Sequence, residues 1–256
     1  MHTRNWEGRL ELQPPRCQRA RVRRIAIYDL DKTLTRRPTF TPFLIFAAAR
    51  GGPVRRLLLP FVLLPVWIVA MGLYKAGLCS RTALKTFGMH LMVGHRSPQE
   101  LARFGAAFAR RHLERGGTMP AIVHLLEEDR RRGDTVVIAT AAFGFYAEAF
   151  ARAFGVEHVI ATRWDGRAIP GGNCYGAEKH ARVLAWLNGA TGPREGLHLR
   201  FVSDSFADAP LLDEADEPIF VSRDAGKRDR ARHRGWPAID GLQSSAALGG
   251  SPETAA

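Results

Sequence analysis

Three short, mainly apolar runs in this chain each stop at a polar residue with reactive chemistry, and that arrangement limits the fold more than any other feature. Arg24 to Asp29 carries Ile25, Ala26, Ile27 and Tyr28 into Asp29. Thr135 to Thr140 carries Val136, Val137, Ile138 and Ala139 into Thr140, and Leu199 to Ser203 leads into Asp204. Runs of this length suit strands buried on both faces, the condition of a parallel sheet covered by helices. Further strands are predicted near Val159–Thr162 and Pro218–Ser222. Helices are predicted near Thr118–Arg131, Tyr146–Phe154, Ala177–Leu187 and Gly226–Arg234. The alternation reads as a wound α/β core.

Between the first run and the second, residues 38–118 lack a strand signal and read as helices broken by Pro and Gly, so they form an insertion. The expected organisation is a basic N-terminal tail at 1–21, a core made of 22–37 and 119–241, a helical, apolar cap at 38–118, and a flexible Ser-, Gly- and Ala-rich tail at 242–256. Inside the insertion, Leu57 to Tyr74 carries no formally charged side chain and is bounded by Arg55, Arg56 and Lys75. A membrane-spanning helix needs about 20 apolar residues. This stretch is short and contains Pro60, Pro65 and Gly72, which weaken regular hydrogen bonding. It is compatible with re-entrant or interfacial insertion, with a buried helix of a soluble cap, or with a span.

Composition narrows the context. With 46% apolar residues in 256, the chain can bury a proper core, and its formal charge of +12 favours anionic partners. Residues 1–24 hold seven arginines without an apolar run, which argues against a signal peptide. Cys17, Cys79 and Cys174 are widely spaced, as expected of thiols in a reducing compartment. His90, His95, His112, His124 and His180 show no zinc-ligand spacing and read as packing or surface residues.

The polar residues after the strands carry the chemistry. Asp29 and Asp31, one residue apart, suit magnesium, which prefers oxygen ligands; taken alone, such a pair also fits a turn or a helix cap. The Thr140 hydroxyl could donate to a phosphate oxygen or cap the next helix. Lys179, in GAEKHARVLAWL, lies near a helix start, where ammonium and helix terminus together attract phosphate. Asp204 and Asp208, in FVSDSFADAPLL, add carboxylates that repel one another unless a cation intervenes.

DLDKT, a strand-ending Thr, a downstream Lys and SDSxxD together resemble the four ordered motifs of the haloacid dehalogenase-like hydrolase superfamily. The resemblance covers roughly residues 22–37 and 120–240. It implies a Rossmann-like parallel sheet with a helical cap inserted after the first strand motif, and phosphate ester hydrolysis with Mg2+. Asp29 would be the nucleophile and Asp31 the acid and base; Thr140 and Lys179 would hold the phosphoryl group. The metal would sit among Asp29, Asp31 through its backbone carbonyl, Asp204 and Asp208. Asp31 favours phosphate over halide chemistry, because a leaving alkoxide needs a proton and a halide does not. Two positions depart from the pattern: Lys32 stands where Gly is frequent, and Ala141 and Ala142 follow Thr140 in place of a second hydroxyl residue.

The order of DLDKTLT, TFTPFL, the Leu- and Pro-rich insertion, YGAEKHARVL and SDSFADAPLL is also similar to bacterial phosphatidylglycerophosphatases of type C. That similarity implies an anionic phospholipid substrate, phosphatidylglycerophosphate, met at the cytoplasmic face of the inner membrane. One alternative is a soluble, cytoplasmic phosphatase of phosphoserine phosphatase type. Another is a basic membrane- or nucleic-acid-binding protein with a vestigial site, although no nucleic-acid module is recognisable and no nucleic acid is expected as partner.

Overall fold

In β1 (Arg23–Tyr28), successive side chains leave on opposite faces, and both faces are apolar. Ile25 and Ile27 pack with Val137, Ala139, Leu199 and Phe201 on one side of the sheet; Ala26 and Tyr28 pack with Val136, Ile138 and Val202 on the other. A strand buried this way needs helices over both faces, and the computed structural model has that three-layer α/β arrangement. It describes residues 23–191 and 196–242. The expected N-terminal tail, Cys17 and the tail beyond Leu242 lie outside the described residues. Leu242 itself packs against the hydrophobic core.

After β1 come five helices in succession: α1 (Phe40–Arg50), α2 (Pro53–Leu58), α3 (Leu64–Lys75), α4 (Arg81–Gly88) and α5 (Pro98–Glu114). The chain then alternates: α6 (Pro120–Arg132), β2 (Thr135–Phe143), α7 (Gly144–Ala153), β3 (His158–Thr162), α8 (Ala177–Thr191), β4 (Leu197–Ser203), α9 (Ala209–Glu214), β5 (Glu217–Val221), α10 (Ala225–Arg232) and β6 (Ala238–Ile239). The strands run in the order β3-β2-β1-β4-β5-β6, all parallel. In register, Tyr28 lies opposite both Ile138 and Val202. The order reverses at β1 and β4, so a crevice forms beyond their carboxyl ends.

Polar groups lock α6 to the sheet. The carboxylate of Asp129, fully buried on α6, accepts from Tyr28 Oη at 2.5 Å and also pairs with Arg200 of β4 and with Arg132. Arg200 reaches on to Glu217 Oε1 at 2.5 Å. Losing one partner would strand a charge out of water, which costs about 3–5 kcal/mol.

The apolar stretch departs from expectation. Pro60 and Pro65 do not break it: α2 and α3 are joined by a π-helical turn, Leu59–Leu63, making one helix from Pro53 to Lys75. The wider turn accommodates the missing proline donors. The helix is not the buried element that a soluble cap would place there. Leu63 and Trp67 are its buried residues, with Leu59, Leu64, Ala70, Met71 and Tyr74 partly buried against the core; Trp67 meets Phe40 edge-on at 5.9 Å and leaves no room for a Cβ at Gly88. Leu57, Phe61, Ile68 and Val69 face outward, Phe61 with 76% of its surface exposed.

Candidate active site

The crevice is assembled from strand ends. The Asp29 amide donates to Val202 O at 2.9 Å, which continues the β1–β4 ladder by one bond and fixes the carboxylate beside Ser203. Lys179, in the first turn of α8, is fully buried, and its Nζ donates to Asp29 Oδ1 at 2.9 Å and Asp208 Oδ2 at 2.7 Å. Gly176, at φ +58°, turns the chain into that helix. Ser203 Oγ donates to the same Asp208 oxygen at 2.7 Å. Asp208 Oδ1 is buried without a hydrogen-bond partner among the described residues.

Burial pushes the Asp29 carboxyl up to about 7; Lys179 pulls it down, while Asp208 and Asp204 push it further up. Asp204 is likewise lifted by burial to about 6, opposed chiefly by Lys32, whose Nζ stands 4.0 Å from its carboxylate. Burial alone would lower the Lys179 ammonium, but attraction to Asp29 and Asp208 outweighs it and holds the group protonated. One buried cation among three carboxylates leaves net negative charge in a dry place.

Asp31 points toward the start of the insertion: its Oδ1 accepts from the Thr39 amide at 2.9 Å. Burial pushes its pKa above the usual carboxylate range, and the Thr39 bonds oppose that rise. Lys32 adopts φ 61°, the left-handed conformation that glycine takes without penalty, which accounts for the frequency of Gly at this position and makes the lysine there a strained one. Thr140 lies at a bulge. β2 runs on to Phe143 with a register shift between Thr140 and Phe143, and Thr140 Oγ1 accepts from Ala142 N at 3.0 Å. Its hydroxyl thus shapes the bulge and keeps its own O–H for donation.

One further charged group went unrecognised in the sequence. Lys85, on α4, is buried; its Nζ donates to Ala141 O at 2.5 Å and Asn173 Oδ1 at 2.8 Å and lies 4.4 Å from the Phe143 ring centre. Burial lowers the ammonium to about 7, with Asp31 as its main stabilising charge. Among the apolar residues of RTALKTFG a lysine reads as a solvated surface group. Only packing of the insertion onto the sheet brings it over the crevice.

The other titratable residues act locally. His90 contacts Arg167 O at 2.8 Å, His112 contacts Gly117 O at 3.1 Å, and His180 pairs with Glu214 at 2.9 Å. Cys79 and Cys174 are free thiols, and burial pushes Cys174 up to about 11.

Among the described residues, no three His, Cys, Asp or Glu side chains already form a metal cluster. Magnesium does not require one, since it takes one or two carboxylates and keeps several waters. The unpartnered Asp208 oxygen, the raised Asp29 and Asp204 and an all-oxygen donor set fit such a cation.

A profile described as haloacid dehalogenase-like hydrolase matches residues 26–213. A histidinol-phosphatase of Neisseria meningitidis is 29% identical over 155 residues, 56% of this chain and 68% of that protein. A probable phosphatase of Mycobacterium tuberculosis is 34% identical over 113 residues, which is 42% of this chain and 38% of that protein. Among solved structures, a protein of unknown function from Bordetella pertussis superposes with a TM-score of 0.71 at 31% identity, covering 86% of this chain and 99% of that one. A phosphoserine phosphohydrolase-like protein of Francisella tularensis, at 0.55 and 12% identity over 88% of this chain and 99% of that one, shares the fold.

Proposed function

Because the chain belongs to the haloacid dehalogenase-like hydrolase family and is a phosphatase, we propose that it hydrolyses a soluble phosphomonoester through an aspartyl-phosphate on Asp29. The observation that carries this reading is the Lys179 ammonium, buried and donating to Asp29 Oδ1 and Asp208. It orients the Asp29 carboxylate and leaves Oδ2 as the attacking oxygen. As Oδ2 bonds to phosphorus, the ester P–O bond breaks, and Asp31 gives its proton to the departing alkoxide. Water then attacks phosphorus while Asp31 takes its proton, the Asp29–phosphorus bond breaks, and phosphate leaves. The burial that raises Asp31 suits a group that must hold a proton in one step and accept one in the next. Thr140 and Lys179 donate to the phosphoryl oxygens as charge spreads onto them. Magnesium, held by Asp29, Asp204 and the carbonyl of Asp31 with Asp208 in support, would supply further positive charge to the phosphoryl group.

A small, soluble substrate is favoured by similarity to a histidinol-phosphatase. A lipid phosphate such as phosphatidylglycerophosphate, met at the membrane, is the second reading. It is supported by the 23-residue helix Pro53–Lys75, which is apolar and long enough to cross a bilayer and is only 11% buried over its most apolar window. Magnesium-dependent phosphate release separates the two: histidinol phosphate and phosphoserine are compared with phosphatidylglycerophosphate in mixed micelles. Preference for a soluble ester upholds the main reading, and preference for the lipid replaces it with the second. Turnover retained by folded Asp29→Asn protein sinks the nucleophile assignment.

A further inference from the structure

A cavity of 720 Å3 opens between the two segments that join the inserted helices to the sheet. Arg36 and Arg37 lie on the first segment and Arg115, Gly116 and Gly117 on the second. The Arg36 amide donates to Gly117 O at 2.8 Å and holds the segments together. Arg50 of α1 and Arg111 of α5 close the sides, and Arg223, beyond β5, closes the sheet end. Ile45, Phe46 and Phe108 supply apolar surface, the two rings edge-on at 5.5 Å. Asp29, Asp31, Thr140, Lys179 and Asp204 do not line this space.

Six arginines share this one space, whereas several arginines elsewhere are neutralised within the molecule. Arg24, Arg96, Arg132, Arg182, Arg200 and Arg228 each pair with a carboxylate. Among the described residues, no carboxylate lines the cavity or forms an ion pair with its six guanidiniums; Arg50 instead covers the face of Phe46 at 3.9 Å. Like charges gathered around one concavity repel, and an anion inside relieves that repulsion. Guanidinium matches phosphate with paired, parallel hydrogen bonds. The exposed Ile45 side chain in the lining adds a preference for an organic body over a bare ion.

We propose that this cavity binds a phosphate-bearing organic anion. Its phosphates engage the arginine rim and its apolar portion packs against Ile45, which is exposed at the cavity wall. The bound anion ties α1 and α5 to the Arg223 segment and thereby links the inserted helices to the sheet. This site stands whether the substrate is soluble or lipid.

The test is calorimetric titration of the protein in EDTA, where turnover is off, with ADP as probe and adenosine and pyrophosphate as its two halves. ADP is expected to bind more tightly than either half and to weaken as salt rises. Arg111→Ala/Arg115→Ala should weaken ADP binding about tenfold or more, while p-nitrophenyl phosphate turnover with magnesium stays unchanged and certifies the fold. Arg50→Ala, on a different helix, should weaken it as well, and Thr140→Val, in the catalytic crevice, should not. Unchanged affinity in the arginine variants, loss of binding in Thr140→Val, equal binding of adenosine, or no ADP binding by the unaltered protein would each overturn the proposal.

Discussion

The crevice beyond β1 and β4 and the helix Pro53–Lys75 handle mismatched groups in opposite ways. In the crevice, charges are buried: Lys179 and Asp208 are almost inaccessible, Lys179 bonded to both Asp29 and Asp208, and one Asp208 oxygen bonded to Lys179 and Ser203. In the helix, apolar groups are exposed: Leu57, Phe61, Ile68 and Val69 face outward, while Leu63 and Trp67 are buried and Leu59, Leu64, Ala70, Met71 and Tyr74 rest partly buried on the core. Buried charge is tolerable where geometry supplies partners, so the crevice is rigid and specific. Exposed apolar surface beyond a few hundred square ångströms marks an interaction site, so the helix is where this chain departs from an ordinary soluble surface.

The sharpest way to break this comparison is at the nucleophile. Asp29→Asn should lower phosphate release by about ten-thousand-fold or more and abolish acid-trappable phosphoenzyme, with the circular dichroism of the native protein retained. Next in size is the buried network that pins α6 to the sheet. Arg200→Met leaves Asp129 without its sheet-side cation, with Tyr28 and Arg132 still in place, and should cost about 3 kcal/mol in urea unfolding.

Lys85 yields a pH signature of intermediate size. Its folded ammonium loses its proton near 7, far below the ordinary lysine value. Between the folded and unfolded values the unfolded chain therefore binds the extra proton, and this group makes stability rise with pH from about 7 toward 10. Lys85→Met should remove up to roughly 1.4 kcal/mol per pH unit from that slope and stabilise the protein most below pH 7, as read by unfolding across pH. An unaltered slope would mean that Lys85 stays charged and hydrated. The smallest stability effect belongs to the helix: Phe61→Ser/Val69→Ser should shift unfolding by less than about 0.5 kcal/mol. If the lipid reading holds, the same pair should lose co-flotation with phosphatidylglycerol vesicles.

The core was legible because its strands are local and unambiguous. Ile25–Tyr28 and Val136–Ala139 are too apolar on both faces to sit anywhere but inside a covered sheet, and the structure has them there as β1 and β2. β6 and α9 escaped notice because two and six residues carry no detectable periodicity. The extension of β2 past Thr140 was hidden for another reason: a bulge shifts its register from Thr140 to Phe143, and bulges depend on the partner strand. Pro60 and Pro65 were read as helix breakers because a regular α-helix was assumed; a π-helical turn removes the conflict.

The site divides along the same line. Asp29, Asp31, Lys179, Asp204 and Asp208 are candidates in the sequence because each lies just after a strand or near a helix start, and Thr140 because its apolar run reads as ending there, although β2 continues to Phe143. By itself the chain determined a wound α/β core, a helical insertion after the first strand and the residue types of the crevice, all properties of short stretches and their order. Only the tertiary structure decided that Lys179 bridges Asp29 and Asp208, that Lys85 reaches across from the insertion to the neighbourhood of Asp31, that the Pro53–Lys75 helix faces outward, and that six arginines from distant segments line one cavity. Those are distances between residues tens to more than a hundred positions apart, and no local pattern encodes a distance that only packing sets.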